Sequence, residues 1–133
     1  MDDEQFIPCI VEDGDEIFQN GIFEFNITKM IDFIHSNIHD FSVEYVSVED
    51  FPREFSSIND DHVENVQIDK PVIVAEIAPG RYNLIDGNHR LEKARSMGIK
   101  KMKAYKIEAA QHIKFITSIT AYKSYVEYWN SKL

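Results

Sequence analysis

The order of apolar and polar positions predicts short strands at the start of the chain. Runs rich in Ile, Val and Phe over residues 6–26 are separated by the turn dipeptides Asp13-Gly14 and Asn20-Gly21. Asn-Gly between apolar runs is a strong hairpin signal, because both residues adopt positive φ readily. Residues 6–26 are therefore predicted to form a small antiparallel meander.

A helix is predicted directly after the meander, because apolar residues then recur every three or four positions. Asn26 or Thr28 can cap it, since short polar side chains accept hydrogen bonds from the first turn. His35 and His39 lie four residues apart in this helix, but no third metal ligand is evident, so no metal site is predicted. The apolar face consists of Ile27, Met30, Ile31, Ile34 and Ile38.

The middle of the chain predicts four strands and one further helix. The strands are expected at residues 43–48, 71–77, 81–85 and 101–107, where β-branched and aromatic residues are concentrated. The apolar run at 71–77 is typical of a buried strand. The helix is expected to begin after Gly87 and to end at Gly98, because glycine commonly follows the last helical turn. A polar segment, residues 52–69, separates the first two of these strands.

The last part of the chain, residues 109–133, contains neither Gly nor Pro and predicts one long helix. Its apolar residues recur at alternating steps of four and three, which is a heptad-like seam. A seam of fewer than three heptads is more typical of a helix packed on its own sheet, and a homodimer through this helix stays open as an alternative. The seam consists of Phe115, Ile119, Tyr122, Val126, Trp129 and Leu133.

Composition limits the class of protein. A chain of 133 residues with 44% hydrophobic and 28% charged residues is expected to be a single globular domain, 1–133, divided into residues 1–42, 43–108 and 109–133. No apolar run reaches the roughly 18 residues that cross a bilayer, and the acidic N-terminus differs from a secretory signal. The single cysteine, Cys9, falls in a predicted strand and has no internal disulfide partner, so a reducing, cytoplasmic location without membrane contact is expected.

The net charge of −9 is distributed unevenly. Residues 1–65 carry 17 acidic and two basic side chains, whereas residues 66–133 carry 6 acidic and 12 basic ones. Seven of the 14 basic residues fall between Arg90 and Lys106. This local patch could attract a nucleotide or another small anion, while the overall charge disfavours non-specific binding to nucleic acid.

The residues that precede the patch are typical of a phosphate site. The apolar run ends in Asp86-Gly87, and the predicted helix then starts with Asn88, His89 and Arg90. A helix start favours an anion through its N–H groups and its dipole, and arginine can grip phosphate oxygens with two hydrogen bonds.

Each residue of this motif has a predicted role. Gly87 and Asn88 would present backbone N–H groups to a phosphate, and Arg90 would add the charged fork. His89 could donate to a phosphate oxygen or relay a proton. Asp86 could hold a substrate hydroxyl or a metal-bound water, and capping of the helix is its alternative role.

Residues 43–108 resemble the N-terminal domain of the ParB/sulfiredoxin superfamily. The resemblance rests on the segments 71–74, 82–91 and 94–99. The loop that corresponds to the motif reads Gly-Glu-Arg-Arg in partition proteins, where it contacts a nucleotide triphosphate, and Gly-Cys-His-Arg in sulfiredoxins. In stand-alone ParB-like free-serine kinases it reads Asp-Gly-His-His-Arg, from which this chain differs only by Asn88.

Departures from the superfamily argue against two of its activities. Asn88 stands in place of the sulfiredoxin cysteine, so the thiol chemistry is lost. A single predicted helix follows the core, where partition proteins have a helix-turn-helix domain, so sequence-specific DNA binding is disfavoured. The kinase relatives use a glutamate after their first strand as the base, and Glu54 occupies the comparable place, with Arg53 as a further phosphate contact. A solvated loop carboxylate is the alternative interpretation of Glu54.

The sequence thus predicts a mixed α/β (α+β) domain of ParB/sulfiredoxin-like type, with an N-terminal meander and a long C-terminal helix. Its expected ligand is a nucleotide (ATP, ADP or CTP) with Mg²⁺, or a phosphorylated small molecule. Phosphotransfer or phosphohydrolysis would use Glu54, His89 and Asp86. The alternative is a non-catalytic interaction module with a protein or DNA partner. Nuclease activity is less favoured, because no carboxylate cluster for two metals is visible.

Overall fold

The computed structural model describes residues 6–51 and 70–133, which form a mixed α+β fold as predicted. The described strands are β1 Ile17–Asn20, β2 Phe23–Asn26, β3 Ser42–Ser47, β4 Val72–Ala78, β5 Arg81–Asp86 and β6 Lys101–Ile107. The described α-helices are α1 Ile27–Ser36, α2 Asn88–Ser96, α3 Ala109–His112 and α4 Ile119–Ser131. Short 3-10 turns follow α1, β3 and α3, at Ile38–Asp40, Val48–Asp50 and Ile113–Phe115.

A four-stranded sheet forms the centre of the fold, in the order β3-β6-β4-β5. β4 is parallel to β6 and antiparallel to β5, and β3 is antiparallel to β6. The four predicted strands are confirmed to within a residue or two at their ends. Because β5 is the last strand in the order β3-β6-β4-β5, it lies at an edge of this sheet.

Both faces of β4 are buried, as its continuous apolar run predicts. Val72 and Val74 pack on one face with Leu91 of α2. Ile73 and Ala75 pack on the other face in a larger cluster that includes residues of α1, α4 and β2. The sheet is thus covered by α2 on one side and by the N- and C-terminal elements on the other.

The N-terminal meander is corrected to a two-stranded hairpin. β1 and β2 pair around the two-residue loop Gly21-Ile22, and Asp13-Gly14 forms a turn, but residues 6–16 contain no strand. Cys9 lies in this irregular segment and not in a strand; its backbone N–H donates to the carbonyl of Ile116. A meander needs a continuous ladder of backbone hydrogen bonds between neighbouring strands. This segment instead makes isolated hydrogen bonds with distant parts of the chain.

Asn26 is confirmed as the cap of α1. Its Oδ1 accepts from the N–H of Lys29 at 3.1 Å, and its Nδ2 donates to Asp15 Oδ2 at 2.8 Å. The second hydrogen bond stabilises the carboxylate and lowers the pKa of Asp15. The prediction that His35 and His39 share one helix is wrong. The helix ends at Ser36, and His39 lies in the following 3-10 turn.

The C-terminal helix is shorter than predicted, because residues 113–118 interrupt it. Ile116 forms a bridge with Phe25 of β2, and its carbonyl accepts from Cys9, so its backbone is used by the N-terminal segment and not by a helix. Ser118 then caps α4 through a hydrogen bond from the N–H of Ala121 to its Oγ. Within α4 the predicted seam packs on the core through Tyr122, Val126 and Trp129, whereas Ile119 at the start of the helix and Leu133 beyond its end are 51% and 83% exposed.

A buried polar cluster joins β4 to the C-terminal helices. The carbonyl of Glu76 accepts from Tyr125 Oη at 2.7 Å and lies 2.6 Å from His112 Nε2. The carboxylate of Glu76 accepts from the N–H groups of Gly80 and Ala109. Burial holds the pKa of His112 at about 4, so the ring is neutral at physiological pH and its Nε2–H donates to the Glu76 carbonyl.

None of the helices in residues 6–51 and 70–133 combines the length and apolarity that crossing a bilayer requires.

Candidate functional site

The predicted motif lies where β5 meets α2, and Gly87 makes the junction. Its φ of +102° belongs to the left-handed region, which L side chains rarely adopt. A Cβ at this position would lie 2.5 Å from Cγ1 of Val72 and 2.8 Å from Nη2 of Arg90. Glycine is therefore required here both by the backbone and by the packing of two neighbours against it.

Arg90 ties the first turn of α2 to the sheet. Its Nη2 donates to the carbonyl of Pro71 at 3.1 Å and to Asp86 Oδ2 at 3.3 Å, and the side chain is only 14% exposed. Its Nε is buried and has no hydrogen-bond partner among the described residues. One end of the guanidinium is thus occupied by the protein, while one buried donor is left for a ligand.

Asp86 does not cap α2, contrary to the alternative role given above. The cap position is Gly87, which has no side chain to accept a hydrogen bond from the first turn. Asp86 pairs with Arg90 instead, because the i,i+4 spacing brings the carboxylate to the guanidinium.

A cavity of about 540 Å³ opens beside this junction, between the edge strand β5 and the strand β1 of the hairpin. The five motif residues from Asp86 to Arg90 all line it. The other lining residues come from three places: β1 with the residue before it, the end of the turn after β3, and β5. They are Glu16, Phe18, Asn20, Asp50, Phe51, Tyr82, Asn83, Leu84 and Ile85.

The charges of this large cavity are mixed. Among the described lining residues, Arg90 and His89 are the cationic or cationisable side chains, whereas Glu16, Asp50 and Asp86 are carboxylates. Since Asp86 already neutralises Arg90, a divalent cation would reduce the repulsion between a polyphosphate and the carboxylates of this part of the lining.

Aromatic rings line the same cavity at Phe18, Phe51 and Tyr82. Lys106 Nζ lies 4.9 Å from the centre of the Tyr82 ring. Partial burial and the nearby carboxylate of Glu76 raise the pKa of the Tyr82 phenol, so it stays protonated near neutrality. Flat aromatic surfaces of this kind suit a planar heterocycle.

Most of the predicted basic patch lies away from the large cavity. Of the seven basic residues from Arg90 to Lys106, Arg90 alone is in the lining that the described chain provides. Arg95 donates to the carbonyl of Phe51 at 2.8 Å and pairs with Glu92 at 3.3 Å, so its role is structural. Lys106 lies 3.8 Å from Glu44 as well as over the Tyr82 ring.

The structure brings Asp86, Gly87, Asn88, His89 and Arg90 together, and it leaves their chemical roles as predictions. Arg53 and Glu54, the predicted phosphate contact and base, lie outside the described residues.

Sequence reasoning missed the contribution of the hairpin. Phe18 and Asn20 of β1 alternate with their neighbours along the strand, and Glu16, the residue before β1, continues the same spacing, so all three line the cavity from one side. The period of two was present in the sequence, but nothing local indicates which partner that side of the strand meets.

Comparisons with known proteins are sparse. No protein-family profile matches the chain, and no curated protein gives a significant match. Among solved structures, the chain is similar to the C-terminally truncated chromosome-partitioning protein ParB from Caulobacter crescentus, complexed with CTP-gamma-S. The identity is 13%, the TM-score is 0.41, and the match covers 64% of this chain and 51% of that chain. This chain therefore spans about half the length of its match, and a likeness at this level supports no conclusion about function.

Proposed function

We propose that the chain binds a nucleotide or a phosphorylated small molecule in the large cavity. The observation that carries the proposal is the position of the α2 start: Gly87 has no side chain to fill the space in front of the helix, and the first turn lines the cavity together with Arg90. A helix start and an adjacent guanidinium both favour a phosphate group. The resemblance of residues 82–91 to the ParB/sulfiredoxin motif supports the same ligand class.

The remaining walls favour a nucleotide with Mg²⁺ within that class. A planar base would contact the aromatic rings, such as Phe18 and Tyr82, while the phosphates lie at the start of α2. The carboxylates of Glu16 and Asp50 would face the cation, either directly or through its waters, because Mg²⁺ prefers oxygen ligands and retains several waters. A volume of about 540 Å³ is within the range of small-molecule sites.

Catalysis is a further part of the proposal. Phosphotransfer or phosphohydrolysis needs a base to accept a proton, and Glu54 is the candidate, with His89 and Asp86 as the other polar groups and Arg53 as a phosphate contact. The competing function is a non-catalytic interaction module, in which nucleotide binding is absent or regulates contact with a protein or DNA partner.

Calorimetric titration with ATP, ADP and CTP, each with and without Mg²⁺, tests the proposal. Asn20→Asp adds a negative charge inside the cavity, and Gln19→Glu adds the same charge one residue away, where it does not line the cavity. We expect Asn20→Asp to weaken nucleotide binding at least threefold and Gln19→Glu to leave it unchanged, since Coulomb repulsion falls with distance.

Two results would reject nucleotide binding in this cavity: no binding of any nucleotide, or equal effects of the two variants. If a nucleotide binds, turnover that is lost in Glu54→Gln would support the enzyme. Binding without turnover would favour the non-catalytic module.

A further inference from the structure

A second, smaller cavity of about 70 Å³ lies between α1 and the central sheet. Asp86 and Arg90 line this cavity as well as the large one, so their ion pair forms a shared wall. The other lining residues come from α1, from the segment that enters β4, and from β4 and β6. They are Ile31, Ile34, His35, Lys70, Pro71, Ile73 and Tyr105.

The small cavity has an apolar part and a cationic part. Ile34 and Ile73 are 1% and 4% exposed, and with Ile31 they provide aliphatic surface. Lys70 and Arg90 provide positive charge, of which Asp86 neutralises one unit. The lining therefore suits a molecule that carries one negative charge and a short aliphatic body.

Arg90 gives a second reason to expect an anion. Its buried Nε has no hydrogen-bond partner within residues 6–51 and 70–133, and a buried donor without a partner destabilises the protein. A carboxylate oxygen beside the guanidinium would accept from Nε while Nη2 keeps its bonds to Asp86 and Pro71.

We propose that the small cavity binds a short aliphatic carboxylate, with its charged group beside Lys70 and Arg90 and its methylene groups against the isoleucines. The cavity volume of about 70 Å³ accommodates roughly five to seven non-hydrogen atoms, at about 10–15 Å³ for each water-sized group. Inorganic phosphate has a suitable size, but it would place some of its oxygens against the side chains of Ile31, Ile34 and Ile73, which carry no donor.

The two proposals share Arg90, so propionate binding is measured in the absence of nucleotide. Propionate is a suitable probe, and its neutral isostere propionamide is the matched ligand control. Methyl signals of isoleucine, recorded by NMR without nucleotide, report on the site through Ile34 and Ile73, while Ile119 on α4 is a distant reference.

We expect propionate to shift the Ile34 and Ile73 signals saturably, with propionamide at least tenfold weaker. Lys70→Gln should weaken propionate binding roughly threefold to tenfold, through loss of one charged partner. Lys100→Gln, an exposed lysine that lines neither cavity, should leave it unchanged.

Any of four results would overturn the proposal: no saturable shift with propionate, equal binding of propionamide, tighter binding of inorganic phosphate, or equal effects of the two lysine variants. The nucleotide titration is judged by Asn20→Asp and Gln19→Glu, which do not line the small cavity, so failure of one proposal is distinguishable from failure of the other.

Discussion

Acidification should destabilise the protein through His112. The ring is fully buried, its edge-to-face neighbours are Phe25 and Tyr125, and its Nε2 lies 2.6 Å from the Glu76 carbonyl. Burial depresses the pKa of His112 from 6.5 to about 4. The unfolded chain therefore takes up the proton first, so the stability that neutral His112 contributes is complete above pH 6.5 and is lost as the pH falls towards 4.

The size of the effect follows from the two pKa values. A difference of about 2.5 units, from 6.5 to about 4, corresponds to about 3 kcal/mol in full. Between pH 7.5 and pH 5.0, where titration of the unfolded state is nearly complete, the loss attributable to His112 is about 2 kcal/mol.

Urea unfolding of the wild type and His112→Phe at these two pH values measures this loss. Phenylalanine keeps an aromatic ring between Phe25 and Tyr125 but cannot titrate, so the variant should lose about 2 kcal/mol less than the wild type between the two pH values. His39→Gln removes an exposed histidine and should behave as the wild type does. Equal losses in the wild type and His112→Phe would refute the argument, because the acid sensitivity would then originate in other groups.

Three further predictions concern local structure, each measured by urea unfolding at pH 7.5. Gly87→Ala should lower the free energy of unfolding by about 2–5 kcal/mol, because of the positive φ and the steric overlap of a Cβ. Gly80→Ala, whose Cβ would meet nothing within 4 Å, should lower it by about 1–2 kcal/mol, and equal losses would contradict the packing at Gly87. Asn26→Ala should lower the free energy of unfolding by about 1–2 kcal/mol and raise the pKa of Asp15 in an NMR titration. An unchanged pKa would show that Asn26 does not stabilise the Asp15 carboxylate. Ser118→Ala should cost about 1 kcal/mol, and no loss would mean that α4 starts elsewhere.

Local patterns were sufficient to locate the four strands of the central sheet along the chain. Three local signals mark element boundaries: the apolar run of β4, the turn at Gly80 and the glycine at position 98. Each depends only on residues that are adjacent in the sequence. The same holds for the cap at Asn26. These signals need no knowledge of distant contacts, and the elements they predicted are confirmed.

The errors occur where distant contacts override local pattern. Residues 113–118 lie in the segment without Gly or Pro that predicted a helix, yet Ile116 pairs with Phe25 and bonds to Cys9, which are about a hundred residues away in sequence. The hairpin residue Phe18 reaches the large cavity for the same reason. Pattern could predict the motif at the β5–α2 junction, but the opposite wall depends on tertiary packing that the sequence does not display locally.

The two roles of Arg90 determine how the site has to be tested. Its Nη2 holds Pro71 and Asp86, and removing the side chain would leave Asp86 without its partner and destabilise the junction, whatever the ligand. Loss of binding in Arg90→Ala would therefore not separate a phosphate contact from a structural tie. Charge changes at Asn20 for the large cavity and at Lys70 for the small one leave that tie intact, so their effects report on the ligands themselves.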